Sequence, residues 1–389
     1  MFFINNTLNR LAIAASFIFI SLSLIAEPTL EEVVVSARKV DENLQDVPIA
    51  MSVFTSSDIE DAGIQRPEDF IALTPNVVMA NTVNVGDTLV TIRGLTSTRD
   101  AESNFAFVVD GVLQTNPNAF NRELLDIAQI EVLKGPQGAL YGRNATSGAI
   151  LITTKAPSEE SESTAVVGMG VNNSTKLQFV NSGKMGENVY TRFSVSTRDT
   201  DGEHTNVFSN SNNVDHFEDT TIRTRFLVDN GDSSWDLRAG ISEASGGTIN
   251  FNAVFALPAF QGFGTPGADQ FYKDVNTHQF TYMFNVPPVN EQETADISLK
   301  YTEDMGDGRE FSAILAYNHL EEFLLSDGTS GAFGGYFGVP SCAASNTASN
   351  LALINSLPPG FSFAAPGTAP SAANSVVGPY LPHTCDGYQ

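Results

Sequence analysis

Ile130-Glu131-Val132-Leu133-Lys134-Gly135-Pro136-Gln137-Gly138-Ala139-Leu140-Tyr141-Gly142, continuing through Arg143-Asn144-Ala145-Thr146-Ser147-Gly148-Ala149-Ile150-Leu151-Ile152-Thr153-Thr154-Lys155, carries the densest structural signal in the chain. Two apolar, β-branched runs, Ile130–Leu133 and Ala149–Thr154, read as strands because such side chains fit a pleat. Gly135-Pro136 punctuates a turn between them. Gly135, Gly138, Gly142 and Gly148 allow backbone turns and close approaches that a Cβ would block. Gly138 to Gly142 followed by Arg143 lacks the Gly-Lys-Ser/Thr ending that holds phosphate and magnesium, which argues against a nucleotide loop.

Working outward toward the N-terminus, Asp46 to Lys155 reads as a mixed α/β domain that closes at Ala156-Pro157. Pro48–Phe54 alternates as a strand, and Ser57-Asp58 starts a helix that stops at Gly63. Arg66-Pro67-Glu68-Asp69 opens a second helix through Phe70, Ile71 and Leu73, ended by Pro75. Further strands are predicted at Thr88–Arg93 and Phe105–Asp110, the latter followed by the turn Asp110-Gly111.

From about Ser163 the pattern changes to strands with a period of two. Val189, Thr191, Phe193 and Val195 alternate with Tyr190, Arg192, Ser194 and Ser196. Ile222, Thr224, Phe226 and Val228 alternate with Arg223 and Arg225, and Trp235, Leu237, Ala239 and Ile241 with Asp236 and Arg238. The same rule repeats at Ile297–Tyr301 and Phe311–Tyr317. Period two puts the apolar set on one face and the charged set on the other, which a soluble sandwich would also do. Short links such as Asn230-Gly231-Asp232 alternate with long Gly-rich segments near 200–218, 245–290 and 325–389. Short turns at one end and long loops at the other are the asymmetry of outer-membrane barrels. About seven strands are legible.

The N-terminus sets the compartment. Arg10 precedes the apolar run Leu11–Ala26, which is short of the ~20 residues needed to span a bilayer and reads as a secretory signal, residues 1–26. A polar leader, 27–45, then holds Glu31-Glu32-Val33-Val34-Val35-Ser36-Ala37. Its three valines favour an extended strand, either one that pairs with another protein's sheet edge or the first strand of the next domain. A formal charge of −25 argues against nucleic acid, whose phosphates need a basic surface. Cys342 and Cys385 are the only cysteines. In an exported chain they suggest one disulfide closing a long loop, with two free thiols as the alternative. Asp199, Asp201, Glu203, His204, Asp215 and His216 cluster in sequence and could bind a metal chelate, but loops facing water explain them equally well. No metal site is assigned. The aromatics Phe251 to Phe284 load one long loop, to pack it or to touch an apolar ligand. No catalytic constellation is present, so neither catalytic residues nor a cofactor are expected.

Three motifs in order carry a resemblance. Thr91-Ile92-Arg93-Gly94-Leu95, Phe107-Val108-Val109-Asp110-Gly111-Val112 and the block Ile130–Lys155 resemble the signature segments of TonB-dependent receptor plug domains. Glu32, Val33, Val34, Val35, Ser36 and Ala37 sit where that family keeps its TonB box. The resemblance implies an α+β plug domain, residues 46–157, followed by antiparallel transmembrane β-barrel strands from 163 to 389. These strands would be the first part of a 22-stranded barrel with a plugged lumen. Only 229 residues follow position 160 (389 − 160), so the expectation is a C-terminally truncated fragment. It implies plug-motif roles for Arg93, Gly94, Asp110, Gly111, Glu131, Gly135, Pro136, Gly138, Tyr141, Gly142, Arg143 and Gly148. Arg93 and Arg143 would pair with glutamates on the inner barrel wall. The implied partners are TonB, energised by ExbB and ExbD, the outer-membrane lipid, and a small-molecule ligand, most often an iron–siderophore chelate. Cobalamin, thiamine and carbohydrate are alternative solutes, and a surface-binding or signalling receptor is the alternative use of the scaffold.

Overall fold

The computed structural model describes residues 33–81, 86, 88–98, 101–206, 210–212, 214–247 and 288–325. The secretory run, Glu32, the aromatic loop and both cysteines lie outside the described residues. Residues up to Pro48 and those from Ile49 onward form two compact units.

In the first unit β1 (Val34–Val35) and β2 (Glu42–Asn43) make an antiparallel hairpin, with Val34 opposite Asn43 and Val35 opposite Glu42. Lys39 supplies the positive φ, 62°, that such a tight reversal requires. Arg38 Nη1 reaches Glu42 Oε1 at 3.2 Å across it.

The second unit begins with β3 (Met51–Thr55) and two short helices, α1 (Ser56–Asp61) and α2 (Pro67–Ala72). Thr55 caps α1 reciprocally: its hydroxyl accepts from Asp58 N, and the Asp58 carboxylate accepts from Thr55 N at 2.9 Å. Pro67 takes the first position of α2, where a missing N–H costs nothing, and Asp69 accepts from Arg66 N at 2.9 Å. Three strands follow, β4 (Val77–Asn81), β5 (Thr88–Ile92) and β6 (Leu95–Thr96), as a small antiparallel sheet. Strand β4 was not foreseen. Asn76, in the left-handed region at φ 62°, reverses the chain just after Pro75 and lets Val77 pair with Ile92.

The main sheet of this domain runs β3-β9-β10-β7-β8, with β7 (Phe105–Val109), β8 (Val112–Gln114), β9 (Ile127–Lys134) and β10 (Gly148–Thr154). The β10–β7 pair is parallel and the rest antiparallel. The two runs read from the Ile130–Lys155 stretch are thus its central strands. One face packs the core: Phe70, Phe105, Phe107, Phe120, Ile130, Val132 and Ile150 are all buried. Phe120 meets Phe105 and Phe107 edge-on at 5.1 Å each, which adds quadrupole attraction to area burial.

Seven strands then form one antiparallel sheet in sequence order: β11 (Glu162–Met169), β12 (Thr175–Lys184), β13 (Val189–Thr200), β14 (Phe217–Asp229), β15 (Ser233–Gly246), β16 (Val289–Asp304) and β17 (Glu310–Leu325). They are longer than the segments read from alternation, because polar residues extend each end past the apolar band. The sheet is not closed: β11 and β17 are its two edges. Register fixes the faces. Phe226, Leu237, Leu299 and Leu315 stand opposite one another across four strands and face out. On the other face Arg192, Arg225 and Arg238 align. A one-residue slip would exchange these rows, so the register is strongly specified. Trp235 and Tyr301, 4.6 Å apart, mark the outer face near the short-turn end, a place where barrel walls carry aromatic girdles. No helix among the described residues is long and apolar enough to cross a membrane.

Candidate functional site

The α+β domain lies against the polar face of the seven-stranded wall, and the seam between them is built from charges. Asp126, held at φ 57° just before β9, accepts from Arg192 Nη2 at 2.7 Å and from Nε, while Ser194 Oγ donates to it at 2.7 Å. Glu123, buried beside it in sequence, accepts from Lys176 Nζ at 2.9 Å and lies 3.6 Å from Arg198. One pairing has the opposite sense: Arg122 of the domain donates to Asp296 of the wall at 2.8 Å. Wall guanidinium groups also read backbone carbonyls. Arg223 donates to Leu125 O at 2.8 Å, and Arg225 to Lys155 O at 3.1 Å and Thr154 O at 3.3 Å. Buried pairs of this kind are held by their hydrogen bonds rather than by bare Coulomb gain, since each ion loses its water.

The Asp110-Gly111 turn shows why those residue types stand there. Asp110 sits at φ 51° and Gly111 at φ +85°, a pair of left-handed residues that closes β7 onto β8. The Asp110 carboxylate then accepts from Thr154 N at 2.9 Å and Thr154 Oγ1 at 2.8 Å, tying the turn to the end of β10. From the wall, Arg238 Nη1 donates to Asp110 O at 2.9 Å. A Cβ on Gly111 would come within 3.1 Å of Ile314 Cδ1 on β17, so the turn tip abuts the wall.

The Ile130–Lys155 stretch is positioned by similar means. Asn104 Oδ1 accepts from Ser97 Oγ at 3.1 Å and Ser147 Oγ at 3.0 Å, fixing the start of β10. Gly135 and Gly142 take φ +112° and +76°, and a Cβ on Gly148 would meet Leu133 O at 2.3 Å. Gly138 corrects its expected reason: it opens the four-residue helix α3 (Gly138–Tyr141) with open space around it and no left-handed backbone. Gly94 follows Arg93 at a tight reversal with φ +83°. Pro136 lies between Gly135 and the helix. Glu131 is buried on β9. Burial first, and then the Glu131 charge, push the Tyr141 phenol up from its ordinary value. Burial and the nearby Arg93 hold the Lys134 ammonium below its ordinary range, while it donates to Ser52 Oγ at 3.0 Å.

The two arginines expected to meet wall glutamates are placed as follows. Arg143 Nη1 lies 3.4 Å from Glu102 of its own domain, both exposed, and Arg93 lies beside Gly135. The arginine of this domain that reaches a wall carboxylate among the described residues is Arg122, which sequence reading missed, along with Glu123 and Asp126. A signal existed. The charged set alternating in β13–β15 is mostly arginine in a chain of net charge −25, with Asp229 and Asp236 its acids, so part of its acidic complement had to come from elsewhere in the fold.

The hypothetical metal cluster resolves into loop bracing: Asp215 accepts from Glu203 N and His204 N, each at 2.9 Å. Among the described residues no group of three or more His, Cys, Asp or Glu is arranged to hold a metal ion.

Comparison with known proteins agrees with this architecture. Residues 43–149 match the family described as TonB-dependent Receptor Plug Domain. The pesticin receptor of Yersinia enterocolitica is 24% identical over 213 residues, covering 54% of this chain and 31% of that protein. The vitamin B12 transporter BtuB of Vibrio vulnificus is 32% identical over 169 residues, covering 40% and 27%. The chain thus spans about a third or less of the length of these relatives. Among solved structures, the ferric yersiniabactin uptake receptor FyuA of Yersinia pestis superposes with a TM-score of 0.59 at 19% identity, covering 71% of this chain and 41% of that one. The siderophore receptor PiuA of Acinetobacter baumannii gives 0.60 at 17% identity, covering 78% and 41%. These likenesses concern the fold.

Proposed function

We propose that this chain, which belongs to the TonB-dependent receptor family, is the plug and first wall strands of an outer-membrane receptor that takes up a scarce solute by energy drawn from TonB. The observation that carries this reading is the seam. A folded stopper is held to a strand wall by discrete ion pairs such as Asp126–Arg192, contacts that can be released and remade, whereas a continuous apolar interface would fix it. The outer face of the wall supports an outer-membrane location, because its apolar rows face away from the stopper, where lipid would lie.

Glu32–Ala37 serve as the TonB box, working by strand addition to TonB, with ExbB and ExbD supplying the energy from the inner membrane. Support comes from the extended backbone of Val34–Val35. An iron–siderophore chelate is the favoured solute, and the names of FyuA and PiuA support it; the cobalamin transporter among the relatives keeps that alternative in view. No catalytic step is assigned to any residue.

The test separates coupling from binding. Val34→Pro removes a ladder donor from the box, so uptake of ferric chelate should fall to background while binding to whole cells is kept. Uptake at the wild-type rate would refute the coupling role.

A further inference from the structure

A cavity of about 90 Å³ lies in the seam, between the Asp110 turn, the segment Arg122–Asp126 and the wall strands β13–β17. Its walls carry Arg122, Lys155, Arg192, Arg223, Arg225 and Arg238. Five of these cations have a carboxylate partner: Asp296 for Arg122, Glu60 for Lys155, Asp126 for Arg192, and Asp236 for both Arg225 and Arg238. Arg223 forms no ion pair among the described residues; the carboxylates of Asp110, Asp126 and Asp296, which line the same cavity, act on its charge without contacting it. Only its Nη1 is engaged, by the neutral Leu125 carbonyl, which leaves the rest of its donor fork toward the cavity. Arg238 also lines the cavity, with its Nη1 donating to Asp110 O and its Nη2 to Asp236. A guanidinium drawn out of bulk water without a contacting counter-ion is destabilised until one reaches it. A guanidinium fork fits the oxygens of a carboxylate or phosphate.

We propose that this cavity is a binding site for a small oxyanion, phosphate or carboxylate in type, held by the free edge of the Arg223 guanidinium among the cations that line it. The cavity is smaller than the ~150 Å³ void that accommodates a benzene-sized guest, so it takes one small anionic group and excludes a whole chelate. The chemistry does not depend on what the receptor transports. The anion would bridge the segment at Leu125 and the turn at Asp110 to the wall, so its occupancy would bear on how firmly the stopper is seated.

The experiment is equilibrium dialysis of radiolabelled inorganic phosphate against the detergent-purified full-length receptor, with acetate and chloride as competitors. About one saturable phosphate per chain is expected, displaced by acetate more readily than by chloride. Arg223→Gln should weaken binding by ~10-fold or more, the scale of a hydrogen bond to a charged group. Arg309→Gln, at an exposed turn, should leave binding unchanged. Gly240→Ala is the second variant: its Cβ would sit 3.3 Å from Arg223 Cγ, crowding the cavity while retaining every charge, and it should also weaken binding. Heat-modifiable migration on gels verifies that each variant folds. Absence of saturable binding up to ~50 mM phosphate, or equal binding by wild type, Arg223→Gln and Gly240→Ala, overturns the site.

Discussion

Asp126 of the stopper and Arg192 of the wall meet as a two-point fork, each side chain only 8% exposed, with Glu162 taking the remaining edge of the guanidinium. Removing one partner of a buried pair strands the other, at ~3–5 kcal/mol. Arg192→Gln should therefore loosen the seam more than Asp126→Asn, because Asp126 would keep only Ser194 whereas Arg192 would keep Glu162. Hydrogen exchange at residues 122–128 reports the loosening. The double variant should lose less than the sum of the two singles; strict additivity would show that the pair is not coupled.

Two glycines of the Ile130–Lys155 stretch should behave oppositely. Gly148→Ala drives a Cβ to within 2.3 Å of Leu133 O, backbone that cannot give way without opening β9–β10. The expected loss is at least ~1–3 kcal/mol, the range for overpacking. Gly138→Ala, inside a helical turn in open space, should be neutral or stabilising by up to ~1 kcal/mol. Urea unfolding of the two variants gives the comparison, and equal midpoints would contradict it.

A charge on the outer face should block membrane assembly. Leu299 stands in the apolar row between Leu237 and Leu315. Leu299→Arg should cost roughly 2–4 kcal/mol at mid-depth and reduce the heat-modifiable fraction in outer membranes. Arginine at inward-facing Ser298 should be tolerated better. If both assemble alike, the two faces have been assigned wrongly.

Alkaline pH should test the surroundings of Tyr141. Its folded value lies above the ordinary 10.0, so the neutral phenol is favoured in the native state. The associated stability is complete below pH 10 and is lost as pH climbs from there through the raised native value. Tyr141→Phe should flatten this alkaline decline and remove one late-titrating phenol from the 295 nm absorbance. A wild-type curve with no decline above pH 10 would sink the assignment.

Much of this was legible beforehand, for physical reasons that differ by region. The strands at Ile130–Leu133 and Ala149–Thr154 could be read, though not their place in the sheet, because β-branched runs and glycine punctuation are local signals. The faces of β13–β17 could be read because a period of two leaves no freedom once one side is apolar. Arg122, Glu123 and Asp126 could not, because their meaning comes from residues such as Arg192 and Asp296, 66 and 174 positions away. The arginine excess of the wall signals that acidic partners exist, but spacing does not say which residues they are. Strand β4 was hidden for a smaller reason: its register with β5 depends on one asparagine in the left-handed region.

The row Arg192, Arg225, Arg238 puts three like charges side by side on neighbouring strands, an alignment that repels itself when left bare. Asp236, from the wall itself, offsets part of it; the remainder is supplied by Asp126 and Asp110 from the other domain. The housing is thus electrostatically unfinished without its occupant. Detaching the domain would leave Arg192 and Arg238 facing each other across Arg225 with fewer counter-charges, so the seam neutralises the wall as well as holding the domain to it.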